Sequence, residues 1–416
     1  MQREGSAMIH RVVFLSMHTS PLLTPGEGTA GGMNVYVDEL ARAMAARGIE
    51  VDVFTRRERP DVADVVEVSS RYRVQHVTAG PLRGVDTADL ALFVTEFADE
   101  VARRMGQMAS PPDVVHSHYW LSGWAAIVLK RRLGLPVAHS FHTLGRIKDL
   151  NRRSDDPPEP LLRIATEHEV IDEADCVVTS TPAEAADMLE HYGADPGRLC
   201  TSPPGVDRTV FHPGSKMAAR WRLGLDGGPR MLYVGRIQPL KGVDVALEAF
   251  ARLADRIPGL ELDVIGGPSG SNGSSELGRL VDRVRELSLD TRVRFRGTVA
   301  HRALADWYRA ADVLTVPSRS ESFGLVAVEA QACGLPVVAA RVGGLPDVVQ
   351  DGRSGLLVDG WDPADHAQAL AAVLTDRRLA EDLSAGAVAW SERFSWPATV
   401  DRFLELYGGI VARVGL

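Results

Sequence analysis

The chain has 416 residues, of which 45% are hydrophobic and 24% charged, a composition typical of a globular protein and a length that suits two α/β domains. Its net charge of −9 gives no electrostatic reason to expect a nucleic-acid partner. The first ten residues carry charges, and no apolar run approaches about 20 residues, so neither a signal peptide nor a membrane span is expected. The cysteines, Cys176, Cys200 and Cys333, lack metal-binding spacing and predict reduced thiols in a cytoplasmic protein.

Strands alternate with helices through the first half of the sequence. Residues 11–17 form an apolar run that predicts a buried strand, and a loop ending in Gly31-Gly32-Met33-Asn34 leads to helical spacing over 35–47. A glycine pair between a strand and a helix lets backbone N–H groups approach an anionic or polar ligand. The loop is not GxGxxG, which disfavours an NAD-dependent oxidoreductase. Further strands are predicted at 51–55, 74–77, 113–118, 136–140 and 176–180, and helices at 87–108, 121–133, 160–174 and 183–192.

Several polar side chains follow the predicted strands of this half. His116, His118 and Tyr119 end one strand, and His142 and Thr143 follow another. A doubly wound sheet binds its ligand at the carboxyl ends of its strands. A hydrogen-bonded structural role suits any one of these histidines, but their recurrence at one edge favours a binding site. Zinc is disfavoured because the sequence has no H-E-x-x-H.

A break rich in proline and glycine, residues 203–214, predicts a domain boundary. The second half restarts with strands at 230–235, 260–266, 292–295, 312–316, 336–340 and 355–358, with helices between and after them. Arg236 and Lys241 flank a loop at the end of its first strand. A forked guanidinium and a point-charge ammonium suit a diphosphate, although solvated surface cations are the commoner fate of such residues.

Two carboxylates, Glu321 and Glu329, follow the apolar run 312–317. Glu321 is expected in the loop before a helix and Glu329 within that helix. Carboxylates beside a helix N-terminus at a strand's carboxyl edge suit a ligand site. The alternative is a solvated Glu321 and an ion-paired or capping Glu329, and these nine residues alone leave both interpretations open.

Together these motifs resemble a known family. The segment from Glu321 to Glu329 matches the E-x7-E signature of retaining glycosyltransferases of family 4, and Gly235-Arg236 and Lys241-Gly242 are similar to that family in the same order. The resemblance covers nearly the whole chain and implies the α/β GT-B fold, in which two Rossmann-like doubly wound domains face each other across a cleft. It implies an N-terminal acceptor-binding domain over 1–205, a C-terminal nucleotide-sugar-binding domain over 206–395, and a final helix, about 396–416, that packs back on the first domain.

Within that family, Gly31 to Tyr36 and His116 to Gly123 are most similar to enzymes that glycosylate cyclitols. These are the D-inositol-3-phosphate glycosyltransferases of mycothiol biosynthesis and the 2-deoxystreptamine N-acetylglucosaminyltransferases of aminoglycoside biosynthesis. The resemblance implies UDP-N-acetylglucosamine as the donor co-substrate, retention of anomeric configuration, no metal or other cofactor, and a homodimer. It implies that the catalytic residues are His142, Arg236, Lys241 and Glu321. The implied donor-binding residues are Gly32, Arg236, Lys241, Glu321, Phe323, Gly324, Leu325 and Glu329.

The residues that differ from the family pattern lie among or near the predicted acceptor-binding residues. The implied acceptor-binding residues are His18, Asn34, Thr87, Tyr119, Thr143, Asp149 and Arg163. Thr87 stands where the family has a phosphate-binding lysine, Asp149 where a loop asparagine is usual, and Thr29 where an acidic residue is usual. A site that loses a cation and gains a carboxylate holds phosphate more weakly. This favours 2-deoxystreptamine slightly, whereas Arg163 favours the alternative acceptor, inositol 3-phosphate.

A different class, a non-catalytic two-lobed sugar-binding protein, is disfavoured by the missing export signal and by the pair Arg236 and Lys241.

Overall fold

The computed structural model describes residues 8–26, 30–153, 156–269 and 273–414. Within them the strands form two sheets. The first has the order β3-β4-β2-β1-β5-β6-β7-β8 and is parallel except for the β3–β4 pair. Its strands are β1 (Arg11–Leu15), β2 (Glu50–Arg56), β3 (Val65–Ser69), β4 (Tyr72–Val77), β5 (Val114–His118), β6 (Val137–Ser140), β7 (Cys176–Thr179) and β8 (Leu199–Thr201).

The second sheet is wholly parallel, with the order β11-β10-β9-β12-β13-β14. Its strands are β9 (Arg230–Val234), β10 (Glu261–Ile265), β11 (Val293–Gly297), β12 (Val313–Val316), β13 (Val337–Ala340) and β14 (Gly355–Val358). Strands β9, β12 and β13 are buried throughout, as expected for a parallel sheet covered by helices on both faces.

Helices connect the strands of both sheets. Those before the second sheet are α1 (Gly32–Ala46), α2 (Val94–Met105), α3 (Trp120–Leu133), α4 (Gly145–Asn151), α5 (Leu161–Glu173), α6 (Pro182–Tyr192) and α7 (Lys216–Leu223). The later ones are α8 (Val243–Ala254), α9 (Gly273–Glu286), α10 (Leu304–Ala310), α11 (Leu325–Ala332), α12 (Leu345–Val348), α13 (Pro363–Thr375), α14 (Arg377–Ser391) and α15 (Trp396–Val414). None of these described helices is both long and apolar enough to cross a bilayer.

The two predicted doubly wound sheets are confirmed. In the first sheet the strand order reverses between β1 and β5, and in the second between β9 and β12. Ligands of such sheets bind at these reversals, beyond the carboxyl ends of the strands. The loops after these four strands carry the Gly31-Gly32 turn, Tyr119, Arg236 and Glu321, so the topology brings the predicted site residues to facing edges.

Helix α15 returns from the second half of the chain to the first sheet. Trp396, Val400, Phe403 and Tyr407 lie in the same buried cluster as residues of β1, β2 and α1. The predicted boundary at residue 205 stays a prediction, although the first sheet ends at Thr201 and the second begins at Arg230.

Several short elements of the fold have no clear signal in the sequence. The antiparallel edge strand β3 was not predicted, and neither were β8 and the helices α4 and α7. The loop that the family pattern implies at Asp149 is wrong, because this residue lies in α4. That helix has seven residues, about two turns, too few for an apolar period to be recognised. Between 87 and 108 the α-helix begins only at Val94, after a 3₁₀ turn at Asp89–Phe93.

Candidate active site

The cavity between the two sheets is lined from both sides. Gly31, Gly32 and Tyr36 line it from the first half of the chain, and Tyr233 and Val316 from the second. The predicted site residues that line it are Gly32, His142, Thr143, Arg236, Lys241, Glu321, Phe323, Gly324, Leu325 and Glu329. All the predicted donor-binding residues therefore share one cavity.

Arg236 lines this cavity without a carboxylate partner among the described residues. Its Nη1 donates a long hydrogen bond of 3.4 Å to Ser269 Oγ, and no described carboxylate forms an ion pair with it. Burial lowers the pKa of Arg236, while the nearby charge of Glu321 acts in the opposite direction. A guanidinium has five N–H donors, so most of its hydrogen-bonding capacity is open to an anionic ligand.

Lys241 and Glu321 form an ion pair in this cavity. Lys241 Nζ lies 2.6 Å from Glu321 Oε2, and the two side chains are 20% and 17% exposed. Glu321 also accepts a longer hydrogen bond from Ser318 Oγ. Lys241, which is predicted to bind the diphosphate, and Glu321, which is predicted to bind the sugar, therefore pair with each other just before α11 begins.

Glu329 is fixed by two side chains that the sequence analysis did not single out. His301 Nε2 lies 2.6 Å from its Oε1, and Tyr308 donates to its Oε2 at 2.9 Å. Burial alone would lower the pKa of His301, but the Glu329 carboxylate outweighs burial and raises it. Each carboxylate oxygen keeps a free lone-pair position, which suits the neighbouring hydroxyls of a ribose.

The turn before α1 is built around Asn34. Its Oδ1 accepts the Gly31 N–H at 2.8 Å, and its Nδ2 donates to Thr19 Oγ1 and to the Ser20 carbonyl. Both amide hydrogens are therefore used inside the loop, and Asn34 positions this turn rather than presenting a free group. A Cβ on Gly31 would lie 3.1 Å from Arg236 Nε, whereas one on Gly32 would meet only Leu325, at 3.7 Å. Gly31 therefore lies against the Arg236 side chain, and the predicted approach of the Gly32 backbone to a diphosphate stays a prediction.

His142 joins the two halves of the cavity. Its backbone has a φ of 62°. Its carbonyl accepts a hydrogen bond of 2.6 Å from Ser322 Oγ, and its ring contacts His118 Nδ1 at 3.1 Å. Burial lowers the pKa of His142 to about 3, so the ring is neutral at physiological pH. A strained residue held by the opposite domain is a frequent feature of active sites.

Tyr119, Thr143 and Arg163 converge beside the cavity. Arg163 Nη1 donates to Tyr119 OH at 3.3 Å, and its Nη2 donates to the Thr143 carbonyl and hydroxyl at 2.9 and 3.0 Å. Two carboxylates complete the set, Glu159 at 2.9 Å and Glu167 at 2.7 Å. Three of the predicted acceptor residues are thus neighbours.

His18 lies between this cluster and the donor residues. Its ring is 4.3 Å from that of Tyr119. Burial, together with the charges of His142, Arg236 and Arg163, lowers the pKa of His18 to about 3. A neutral imidazole therefore stands where the donor and acceptor halves meet.

Other predicted acceptor residues lie elsewhere. Thr87 precedes the 3₁₀ turn before α2, and among the described residues no hydrogen bond joins it to Tyr119, Thr143 or Arg163. Asp149 accepts the Glu159 N–H at 2.8 Å, so its carboxylate supports the loop before α5. Thr29 lies outside the described residues.

A lysine that the sequence analysis did not count among the site residues, Lys148, pairs with Glu159 next to Arg163. A cation therefore stands near Arg163 although Thr87 replaces the family's lysine. Within the described residues no three potential metal ligands come together.

Gly343 gives a prediction about the Glu321 backbone. Its φ is +53°, and a Cβ there would lie 2.1 Å from the Glu321 carbonyl oxygen. Gly343→Ala must displace that carbonyl, so we expect a loss of at least about tenfold in kcat/KM, the change produced by about 1.4 kcal/mol at the transition state. Gly360→Ala is the matched control, because its φ of +76° gives the same strain with no atom within 4 Å. Equal activity of the two variants would contradict this role of Gly343.

Comparison with known proteins agrees with this geometry. The sequence pattern of the family described as "Glycosyl transferase 4-like domain" matches residues 31–205, and that of "Glycosyl transferases group 1" matches 216–390. A D-inositol 3-phosphate glycosyltransferase 2 of Catenulispora acidiphila is 48% identical over 404 residues, covering 95% of this chain and 94% of that protein. The chain belongs to the group 1 glycosyltransferases.

Further relatives give the same result. A D-inositol 3-phosphate glycosyltransferase of Thermobispora bispora is 47% identical over 413 residues, which cover 98% of this chain and 96% of that protein. The structure of a sucrose-phosphate synthase from Thermosynechococcus elongatus superposes with a TM-score of 0.90 at 33% identity, covering 97% of this chain and all of that one. The predicted GT-B fold is thereby confirmed, and this group 1 glycosyltransferase is an enzyme rather than a non-catalytic sugar-binding protein.

Proposed function

We propose that this glycosyltransferase transfers N-acetylglucosamine from UDP-N-acetylglucosamine to inositol 3-phosphate with retention of configuration. The observation that carries the proposal is the position of Arg163. Arg163 is a buried cation that donates hydrogen bonds to Tyr119 and Thr143. Its charge and that of Arg236 both lower the pKa of His18, so His18 lies near both cations. A cyclitol phosphate anchored there lies within reach of a sugar held by the second sheet. The names of the full-length relatives support the same acceptor.

The donor half has the groups that sugar transfer from a nucleoside diphosphate requires. Arg236 and Lys241 bind the diphosphate, Glu329 the ribose, and Glu321 the sugar hydroxyls. Phe323, Gly324 and Leu325 line the space beside the sugar.

In the proposed step the acceptor oxygen bonds to the anomeric carbon on the face from which the diphosphate departs. The acceptor proton passes to the departing phosphate oxygen, and Arg236 and Lys241 stabilise the charge that develops there. No cofactor or metal takes part in this scheme.

The preference for 2-deoxystreptamine drawn from the sequence is weaker than the alternative. It rested on Thr87 and Asp149. In the described structure Thr87 forms no hydrogen bond with Tyr119, Thr143 or Arg163, and Asp149 accepts the backbone N–H of Glu159 and forms no hydrogen bond with Arg163. Lys148 also adds a cation there that the sequence comparison did not count. One observation still favours the aminocyclitol as a second candidate: the carboxylate of Glu159 lies in the cluster and would attract a cationic acceptor.

An acceptor comparison tests the proposal. Purified protein is given UDP-N-acetylglucosamine with inositol 3-phosphate or with 2-deoxystreptamine, and product mass is followed. We expect the glycosylated inositol phosphate to form and 2-deoxystreptamine to react at least about a hundredfold more slowly, because losing a charged anchor costs about 3 kcal/mol. The reverse preference would establish the second candidate, and no product from either acceptor would contradict both.

A further inference from the structure

We propose that Glu159 is an internal anion that occupies the place of the acceptor's phosphate on Arg163, so that its release sets the affinity for an anionic acceptor. The inference rests on the proposed function for the identity of that acceptor.

The hydrogen bonds of Arg163 are complete without a ligand. A guanidinium has five N–H donors. Here they face five acceptor atoms: one oxygen each of Glu159 and Glu167, the Tyr119 hydroxyl, and the carbonyl and hydroxyl of Thr143. An incoming phosphate must therefore displace at least one of these acceptors before it can bind Arg163.

The two carboxylates differ in how firmly they are held. Glu167 lies within α5, is fully buried, and also accepts the Gly145 N–H and the Tyr192 hydroxyl. Glu159 precedes α5 in a coil segment, and its side chain is 18% exposed. Among the described residues, its polar contacts other than Arg163 are the ion pair with Lys148 and a backbone hydrogen bond to Asp149. Glu159 is thus the acceptor that can leave, whereas Glu167 is part of the core.

Release of Glu159 would free two cations at once. One of its oxygens faces Arg163 Nη1 and the other faces Lys148 Nζ. Burial alone would raise the pKa of Glu159, but the charges of Arg163 and Lys148 outweigh burial and lower it, so the group is a carboxylate at neutral pH. The two cations, Arg163 and Lys148, are balanced by the two carboxylates, Glu159 and Glu167, so the site has no net charge. A phosphate dianion that binds while Glu159 stays in place would make the site negative. A bound phosphate and Glu159 therefore exclude each other.

Removing the charge of Glu159 tests this competition. Binding of inositol 3-phosphate and of inorganic phosphate is measured by calorimetry for the parent protein and for Glu159→Gln. We expect both to bind the variant about tenfold more tightly, which corresponds to about 1.4 kcal/mol. The control is Glu169→Gln, which makes the same change on α5 in an exposed pair with Arg131 and should leave both affinities unchanged.

A second variant separates competition from a general structural effect. Lys148→Met should weaken phosphate binding more in the Glu159→Gln background than in the parent protein, where the phosphate must compete with Glu159 for this cation. If Glu159→Gln does not fold, Glu159→Asp is the substitute, because its shorter side chain places the carboxylate farther from Arg163. It should also bind inositol 3-phosphate and inorganic phosphate more tightly than the parent protein does. Unchanged or weaker binding of both anions to the folded variants would overturn the inference. Tighter phosphate binding without turnover of inositol 3-phosphate by any variant would keep the inference and reject the proposed acceptor.

Discussion

A Lys241→Ala substitution is expected to lower kcat by about a hundred- to a thousandfold, the usual cost of removing one fixed donor from a developing negative charge. Lys241 lines the donor cavity and lies 2.6 Å from Glu321, so it stands where a departing diphosphate would be stabilised. The ion pair itself is partly exposed, and its loss should reduce the free energy of unfolding by about 1 kcal/mol or less. The measurement is steady-state release of UDP from UDP-N-acetylglucosamine, with thermal unfolding recorded for each variant.

The chain offers a matched control for this substitution. Lys216 forms an equally short ion pair with Asp312, also 2.6 Å, but lies on the outer surface of the same half of the molecule with 48% of its side chain exposed. Lys216→Ala should keep full turnover. If Lys241→Ala also kept full turnover, neither the donor site nor the role of this cation would stand.

Acidification is the second large effect that we expect. Burial lowers the pKa of His18, His116 and His142 to about 3, and lowers those of His118 and His139 well below the ordinary value. The folded protein keeps these rings neutral, whereas the unfolded chain protonates them below about pH 6.5. Unfolding therefore takes up protons, and stability falls as pH decreases through 6.5. At pH 5.5 each of the five histidines costs about 1.4 kcal/mol, or about 7 kcal/mol for the group.

Groups whose pKa is raised act in the opposite direction; they are Glu39, Glu184, Asp187 and Asp347 among the carboxyls, and His301. Burial raises the pKa of Glu184 to about 7, so this group stabilises the folded state more as pH falls from 7 towards its ordinary value. We expect the five imidazoles to outweigh these groups, because burial also lowers the pKa of His76 and of His366. Urea denaturation at pH 7.5, 6.5 and 5.5 should show a steady loss of stability and an uptake of more than one proton on unfolding. Stability that is constant or that rises over this interval would contradict the neutral histidine cluster.

Much of the donor half could be predicted from the sequence because its signals are local. Arg236 and Lys241 follow directly after β9, and Glu321 and Glu329 bracket the start of α11, so strand ends and glycines place them at one edge. Their partners could not be predicted in the same way. His301 lies 28 residues before Glu329 in the chain, and only the fold brings the two together.

The acceptor half was predicted less completely for a physical reason. Lys148 lies in a helix of seven residues and Glu159 in the coil after it, where no periodicity indicates which way a side chain faces. Asn34 matched the expected position, but its amide serves the loop. The positions of the motifs predicted that Tyr119, Thr143 and Arg163 lie together. The ion pairs around Arg163 can be seen only in the tertiary structure.

The most direct test of the proposed function is proton NMR of a complete reaction. Protein, UDP-N-acetylglucosamine and inositol 3-phosphate are incubated until the donor signals decline, and the anomeric proton of the new product is assigned. We expect a new glycoside whose anomeric coupling equals that of the α-linked donor, with UDP formed in equal amount. Hydrolysis to free N-acetylglucosamine alone, or a product with β coupling, would contradict retaining transfer to the cyclitol.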